Sequence, residues 1–282
     1  MKPITARRHV RHLWDQLVIL CLARGPRLGK LGKMTLQPKL TENNFATFTY
    51  SRRSHFSALA IPEVHQNNHF SFCDLKVYQD SLVYTFLCNN FKPGAKFLEI
   101  GGGTSRVIHS LKQTYEFWNL DKFEGLGHGP TQISSDSGFI TVKDYIGKYN
   151  SSLPENYFDC VFSISTLEHV PEDADSLYCI MDDIHRVLKP GGYSLHCIDV
   201  VLQKSQNKGE KIIAFFYDRA PIINPFIGYE IIRNDPDLWS LPLYAYYSLW
   251  VIHTKKTHFH FGVPFSYNIL WKKDNLVPEH PV

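Results

Sequence analysis

Glu99 closes a short apolar run and is followed, after Ile100, by Gly101, Gly102 and Gly103, then by Thr104, Ser105 and Arg106. Glycines where a strand turns into a helix let the backbone take conformations closed to residues with a Cβ, and let a ligand lie against bare main chain. The dinucleotide fingerprint G-x-G-x-x-G needs another glycine three positions after Gly103, where this chain has Arg106. A pyrophosphate prefers an open helix N-terminus, whereas the acid at position 99 suits a cationic ligand. Asp121, 18 residues beyond Gly103, stands where a carboxylate can accept both hydroxyls of a ribose. Together these residues point to a nucleoside that carries positive charge rather than a pyrophosphate.

A second group of residues could serve an acceptor molecule. Glu168 and His169 follow the apolar run Phe158 to Ile164, at the sheet edge where α/β folds bind their ligands. His169 reads either as a base for a protic acceptor or as a side chain packed on the cofactor loop. His196 and Asp199 lie three apart in the run Gly192 to Val200, a spacing that puts them on opposite faces of a strand, so they do not form a pair. His196, inside an apolar run, reads as a core histidine. Asp199, nearer the carboxyl edge, reads either as an acceptor-orienting group or as a loop cap. His253, His258 and His260 lie near Lys255 and Lys256 but lack acids or cysteines at ligand spacing, so no metal or phosphate site is expected there.

The elements that must position these residues follow from periodicity. Leu75, Tyr78, Leu82, Phe86 and Leu87 recur at helical spacing between Asp74 and Asn90, and Lys92-Pro93-Gly94 stops that helix. Lys96 to Ile100 then reads as a strand, Thr104 to Thr114 as a helix and Glu116 to Leu120 as the next strand. Gly138 to Val142, Phe158 to Ile164 and Gly192 to Val200 are further strands. A helix over Asp173 to Leu188 carries Leu177, Ile180, Met181, Ile184, Val187 and Leu188 on one stripe. Lys189-Pro190-Gly191-Gly192 supplies its stop and a tight turn. Such alternation specifies an α/β fold with a doubly wound, mostly parallel sheet. Gln203 to Lys211 is polar and reads as a loop. Val251 to Thr254 and Phe265 to Lys272 read as closing strands, with an antiparallel edge. Fifteen Phe, Tyr and Trp residues lie between Phe215 and Trp271, enough to line a lid.

The chain therefore divides into a basic extension over 1–70, a core over 71–202 and an aromatic-rich lid with the last strands over 203–282. The net charge of +3 hides an asymmetry, because residues 1–40 carry nine Lys or Arg against Asp15 alone. No apolar run reaches the roughly 18 residues that span a bilayer, and Leu17 to Ala23, directly after Asp15, is too short for a signal peptide. Six scattered cysteines without a C-x-x-C pair indicate a reduced, cytoplasmic protein.

Four segments, FLEIGGGTSR, WNLDKF, FDCVFSISTLEHVPED and IHRVLKPGGYSLHCID, occur in this order over about Phe91 to Val201. Their order and spacing resemble the successive motifs of the class I S-adenosylmethionine (SAM)-dependent methyltransferases. The resemblance implies a Rossmann-like fold and SAM as cofactor, with S-adenosylhomocysteine (SAH) as product. It implies that Glu99, Gly101, Gly102 and Gly103 line the methionine and ribose side, and that Asp121, with Lys122 beside it, holds the ribose. It also implies that Ser163 to Leu167, including Ser163 and Ser165, pass near the methionine end. An acid after the third strand often reaches the adenine amine in this family; Asp144 fits, with Tyr145 as a wall for the ring, and Asp136 is the alternative. Metal-dependent relatives, including small-RNA 2′-O-methyltransferases and ubiquinone-pathway methyltransferases, show E-x-x-E-H where this chain has Ser165 in place of the first Glu. No metal is expected.

The expected function is methyl transfer from SAM to a small-molecule or glycan acceptor, at a hydroxyl, with His169 and Asp199 as the catalytic candidates. Arg106 and the LEHV and KPGG segments argue against an NAD-dependent oxidoreductase. The reading from another class is a non-catalytic SAM-binding subunit that docks through the basic arm. No nucleic-acid-binding module is visible, so nucleic acid is not expected as a partner, while peripheral membrane contact through the arm stays open. The oligomeric state is left open too.

Overall fold

Six strands pair into one sheet in the computed structural model, which describes residues 39–63, 75–125, 130–132, 138–202, 208–240 and 264–274. They are β1 (Lys96–Ile100), β2 (Glu116–Leu120), β3 (Ile140–Val142), β4 (Phe158–Ile164), β5 (Leu188–Val201) and β6 (Pro264–Lys272), in the order β3-β2-β1-β4-β5-β6. The first five are parallel and β6 is the antiparallel edge. This is the Rossmann-like α/β architecture expected from the alternation of runs. Parallel strands covered on both faces must be apolar nearly throughout, which is why β1, β2 and β4 stand out in the sequence at the bounds they adopt.

Helices α1 (Leu75–Asn90) and α2 (Arg106–Leu111) belong to one face of the sheet, and α3 (Ala174–Val187) and α4 (Lys208–Arg219) to the other; the short α5 (Tyr229–Arg233) follows. Leu82, Phe86, Phe97, Phe117, Phe162 and Cys197 share the core on the α1 face. Leu98, Val161, Ile184, Ile198, Ile213 and Trp271 share the core on the α3 face. Helix α3 starts at Asp173, whose side chain accepts a hydrogen bond from the Ser176 amide at 2.8 Å, an N-cap worth about 1 kcal/mol. It buries Leu177, Ile180, Ile184 and Val187 from the stripe, each contributing roughly 1.5–3 kcal/mol.

Strand β3 starts at Ile140, two residues later than expected, and three further elements differ more. Helix α2 is shorter than Thr104 to Thr114, because the Ser105 side chain caps it by accepting from the Ile108 amide at 3.1 Å and the chain turns after Leu111. Strand β5 begins at Leu188 rather than Gly192. The turn signal is real, since Gly191 has φ +74°, but Gly191 and Gly192 stay paired through main-chain bonds to Lys273, and the ladder to β4 absorbs the extra residues as a register shift. Helix α4 occupies Lys208 to Lys211, read as loop; its first turn is polar, and its buried residues Ile212, Ile213 and Phe216 come only after it. Val251 to Thr254 and the His253, His258, His260 group lie outside the described residues, as do residues 1–38 of the basic arm.

Residues 39–63 are built onto the same body. Thr49 and Ser51 exchange main-chain bonds with Asn268 and Ser266 of β6, and Phe45 and Phe48 join the α1 core. No helix among the described residues is long and apolar enough to cross a membrane. The strand order reverses between β1 and β4, and the carboxyl ends of the strands at such a switch point are where these sheets form their ligand crevice.

Candidate functional site

The glycine turn sits at the end of β1, beside that crevice. Gly101 and Gly103 have φ of +68° and +53°, a region that residues with a Cβ avoid. A Cβ on Gly101 would lie 2.2 Å from Thr166 Cγ2, and one on Gly102 would lie 2.7 Å from Asn119 Oδ1 and 2.8 Å from Glu99 Cδ. The glycines thus bring three elements close: the end of β1, the end of β2 and the loop after β4. Asp121, directly after β2, accepts from the Gly103 amide at 2.9 Å and the Phe123 amide at 2.6 Å. Its carboxylate is fixed at the mouth of the glycine turn.

Glu99 points to the α1 face and is 3% exposed, with Oε2 lacking any hydrogen-bond partner. Burial pushes its carboxyl up to about 8; Ser105 opposes this, the Asp80 carboxylate reinforces it, and Arg106 and Lys76 oppose it. Arg106, where a dinucleotide fold has glycine, forms an ion pair with the buried Asp80 of α1 and so ties α1 to the turn. Glu168, on the short 3-10 turn Leu167–His169, is 7% exposed and neither carboxylate oxygen has a hydrogen-bond partner. Burial, then the neighbouring charge of Asp199, holds its carboxyl well above the ordinary range.

His169 is the exposed end of that turn, its side chain 62% accessible and Nε2 3.9 Å from Glu168 Oε1. Asp199 faces α1. Its Oδ1 accepts from Gln79 Nε2 and from Ser165 Oγ, each at 2.7 Å. Ser165 has φ +46° and donates its amide to Cys197 O at 2.9 Å. Held strain of this kind, overdetermined by its surroundings, is typical of ligand sites. The structure therefore joins Ser165, Asp199 and Glu168 on one side of the crevice, with Glu99, the glycines and Asp121 on the other.

Other candidates are placed differently. The Ser163 side chain turns to the opposite face, where its hydroxyl is 2.7 Å from His196 Nδ1, so only main chain at this position is open to a cofactor. His196 is fully buried between Ser163 and Ser194, with Trp271 at 4.8 Å between ring centroids. Burial drives it down to about 3, so the ring is neutral, one nitrogen donating and the other accepting. It is the core histidine that the apolar run suggests, on the face opposite Asp199. Lys122 donates to Tyr145 Oη at 2.8 Å and pairs with Glu124 at 2.7 Å, its ammonium 4.0 Å above the Tyr145 ring. Asp144 accepts from the Tyr145 amide and from Asn150 Nδ2. Asp136 lies outside the described residues.

Three polar residues of α1 escape notice in the sequence: Lys76, Gln79 and Asp80. Gln79 and Asp80 are buried and Lys76 half-buried, and all three reach the crevice residues or their supports. Polar groups at i, i+3 and i+4 on an otherwise buried helix were the signal available. Among the described residues, no group of three or more His, Cys, Asp and Glu side chains is arranged to hold a metal ion.

Comparison with known proteins covers the part of the chain from β1 to β5. Residues 98–195 match the family model described as a methyltransferase domain. The chain is 26% identical over 160 residues to the ubiquinone/menaquinone biosynthesis C-methyltransferase UbiE of Vibrio cholerae serotype O1, covering 55% of this chain and 58% of that protein. It is 28% identical over 162 residues to the protein of the same name from Cupriavidus metallidurans, covering 55% and 61%. The match thus spans under two thirds of these relatives. Among solved structures, Haemonchus contortus phosphoethanolamine N-methyltransferase 2, in complex with phosphomonomethylethanolamine and S-adenosylhomocysteine, aligns with a TM-score of 0.48 at 17% identity over 75% of this chain and 55% of that one.

Proposed function

We propose that the chain, whose residues 98–195 match the methyltransferase-domain model, is a SAM-dependent methyltransferase that takes SAM in the crevice between β1 and β4 and methylates a small-molecule acceptor. The observation that carries this reading is the pairing of a glycine turn, too tight for any Cβ, with the buried and unmatched Oε2 of Glu99. A cationic nucleoside supplies what that oxygen lacks. When bound, SAM supplies an electrophilic methyl group on a sulfonium.

The protein's own work is alignment and exclusion of water. The glycine turn offers main chain, Asp121 offers a fixed carboxylate to the ribose hydroxyls, and Asp144 with Tyr145 borders the base. On transfer the C–S bond breaks with its electron pair remaining on sulfur, and a bond forms from the acceptor atom to carbon. For a hydroxyl acceptor the proton must leave as well, and His169 and Asp199 are the two groups proposed to receive it. General-base help is worth about 10²- to 10⁴-fold in rate. Helix α4, tied to the loop after His169 by the Lys211–Glu172 ion pair at 2.5 Å, opens the segment 203–282 that we assign to the acceptor side. The similar proteins, named for ubiquinone and menaquinone biosynthesis, support a small-molecule acceptor.

The test is SAH formation from SAM by purified protein offered pooled small-molecule extracts, with the methylated product identified by mass. Growth of SAH with a product 14 mass units heavier than its precursor is expected. Uptake of SAM without SAH would contradict the enzyme reading, and absence of SAM uptake would contradict the cofactor reading. His169→Ala or Asp199→Asn should then lower turnover by the factor above while leaving SAM affinity intact.

A further inference from the structure

Lys76 on α1 extends its ammonium to the crevice and donates to the main-chain carbonyl of Ile164, the last residue of β4, at 3.4 Å. That is long for an N–H···O bond, which is ordinarily 2.7–3.2 Å, and the acceptor is neutral. Among the described residues it is the hydrogen bond recorded for this ammonium. Its charge acts on both Glu99 and Glu168, the two buried acids whose oxygens are open. One cation, held at the carbonyl that ends β4, thus acts on both acids.

Resting on the SAM reading above, we propose that Lys76 is the residue that captures the carboxylate of the donor's amino-acid tail. That tail is zwitterionic. The open oxygens of Glu99 and Glu168 offer places to its ammonium, and an acid ionised by that contact repels its carboxylate, so a positive group must face the other end. The remaining described cations bordering the crevice are committed elsewhere: Arg106 to Asp80, and Lys122 to Glu124 and Tyr145. Lys76 has a weak neutral partner to give up and a flexible stem with which to turn. Exchanging a carbonyl for a carboxylate turns an ion–dipole hydrogen bond into an ion pair. In this arrangement Ile164 O, vacated by Lys76, becomes a further acceptor for the tail's ammonium.

The experiment is calorimetric titration of wild type, Lys76→Met and Lys76→Arg with SAH and, separately, with 5′-methylthioadenosine, which is the same nucleoside without the amino-acid tail. SAH has a neutral sulfur, so the comparison reads the tail and not the sulfonium. Lys76→Met should weaken SAH roughly 10- to 100-fold and leave 5′-methylthioadenosine within twofold, while Lys76→Arg keeps most of the SAH affinity. Equal SAH affinity in wild type and Lys76→Met overturns the assignment, as does an equal loss for both ligands, which would mark a merely structural role. Wild type that binds neither nucleoside overturns the SAM reading itself, and with it this inference.

Discussion

Asp183 and the pair Glu99 and Glu168 are all buried carboxyls packed in or against one sheet, yet they are treated in opposite ways. Asp183, on α3, is fully buried and its oxygens are met by the Gly147 amide at 2.7 Å, the Tyr149 amide at 3.1 Å and the Arg186 guanidinium at 2.8 Å. Glu99 and Glu168, at the crevice, keep three oxygens without a partner between them. A buried polar group left unmatched costs free energy. The chain saturates Asp183 but leaves the crevice acids open. In the function proposed above, the matched acid holds the fold together and the open acids receive a cationic ligand.

Removing the matched acid should have the largest effect. Asp183→Ala leaves two amides and the Arg186 guanidinium without their acceptor, and breaking a buried pair from one side costs about 3–5 kcal/mol. Urea unfolding at pH 7 measures it; a cost under about 1 kcal/mol would erase the distinction between the two regions.

The pH dependence of Glu99 sharpens the same contrast. Its carboxyl titrates near 8 in the folded protein and near the ordinary glutamate value when unfolded. Between those values the folded state holds a proton that the unfolded state has lost, so stability is complete below the lower value and falls as pH rises, by up to about 1.4 kcal/mol per pH unit. Glu99→Gln removes that fall. The variant should gain on wild type by more than about 1 kcal/mol between pH 5 and pH 8 in paired urea titrations. A difference independent of pH would mean that Glu99 does not change its protonation between the folded and unfolded states.

Glu168→Gln should change stability least, by under about 1 kcal/mol at pH 5, because a neutral amide replaces an acid that burial already keeps neutral. Thermal unfolding at that pH checks it. A loss as large as that of Asp183→Ala would place Glu168 among the structural acids.

Much of this division was legible in the sequence, for identifiable reasons. Strands β1, β2 and β4 announce themselves because strands buried on both faces must be apolar, and Glu99, the glycines and Asp121 follow them at fixed offsets. The opposed faces of His196 and Asp199 follow from the period of a strand alone. Lys76, Gln79 and Asp80 stayed hidden, since they come from a helix whose Leu75, Tyr78, Leu82 and Phe86 dominate the pattern and whose distance from the crevice is set only by tertiary packing. Nor could periodicity show that the Ser163 hydroxyl is spent on His196, or that Glu168 rather than His169 is the buried member of its dipeptide. Helix α4 was missed because its polar first turn, with Gly209, reads as loop before the apolar positions begin.

The central claim concerns the crevice, and calorimetric titration of wild type and Asp121→Ala with SAM tests it most directly, with circular dichroism to confirm that both are folded. Wild type should bind SAM, and the variant should bind it about 10- to 100-fold more weakly, the value of roughly 1.5–3 kcal/mol for a hydrogen-bonded carboxylate. Unchanged affinity in Asp121→Ala, or a wild-type protein that takes up neither SAM nor SAH at millimolar concentration, would contradict it.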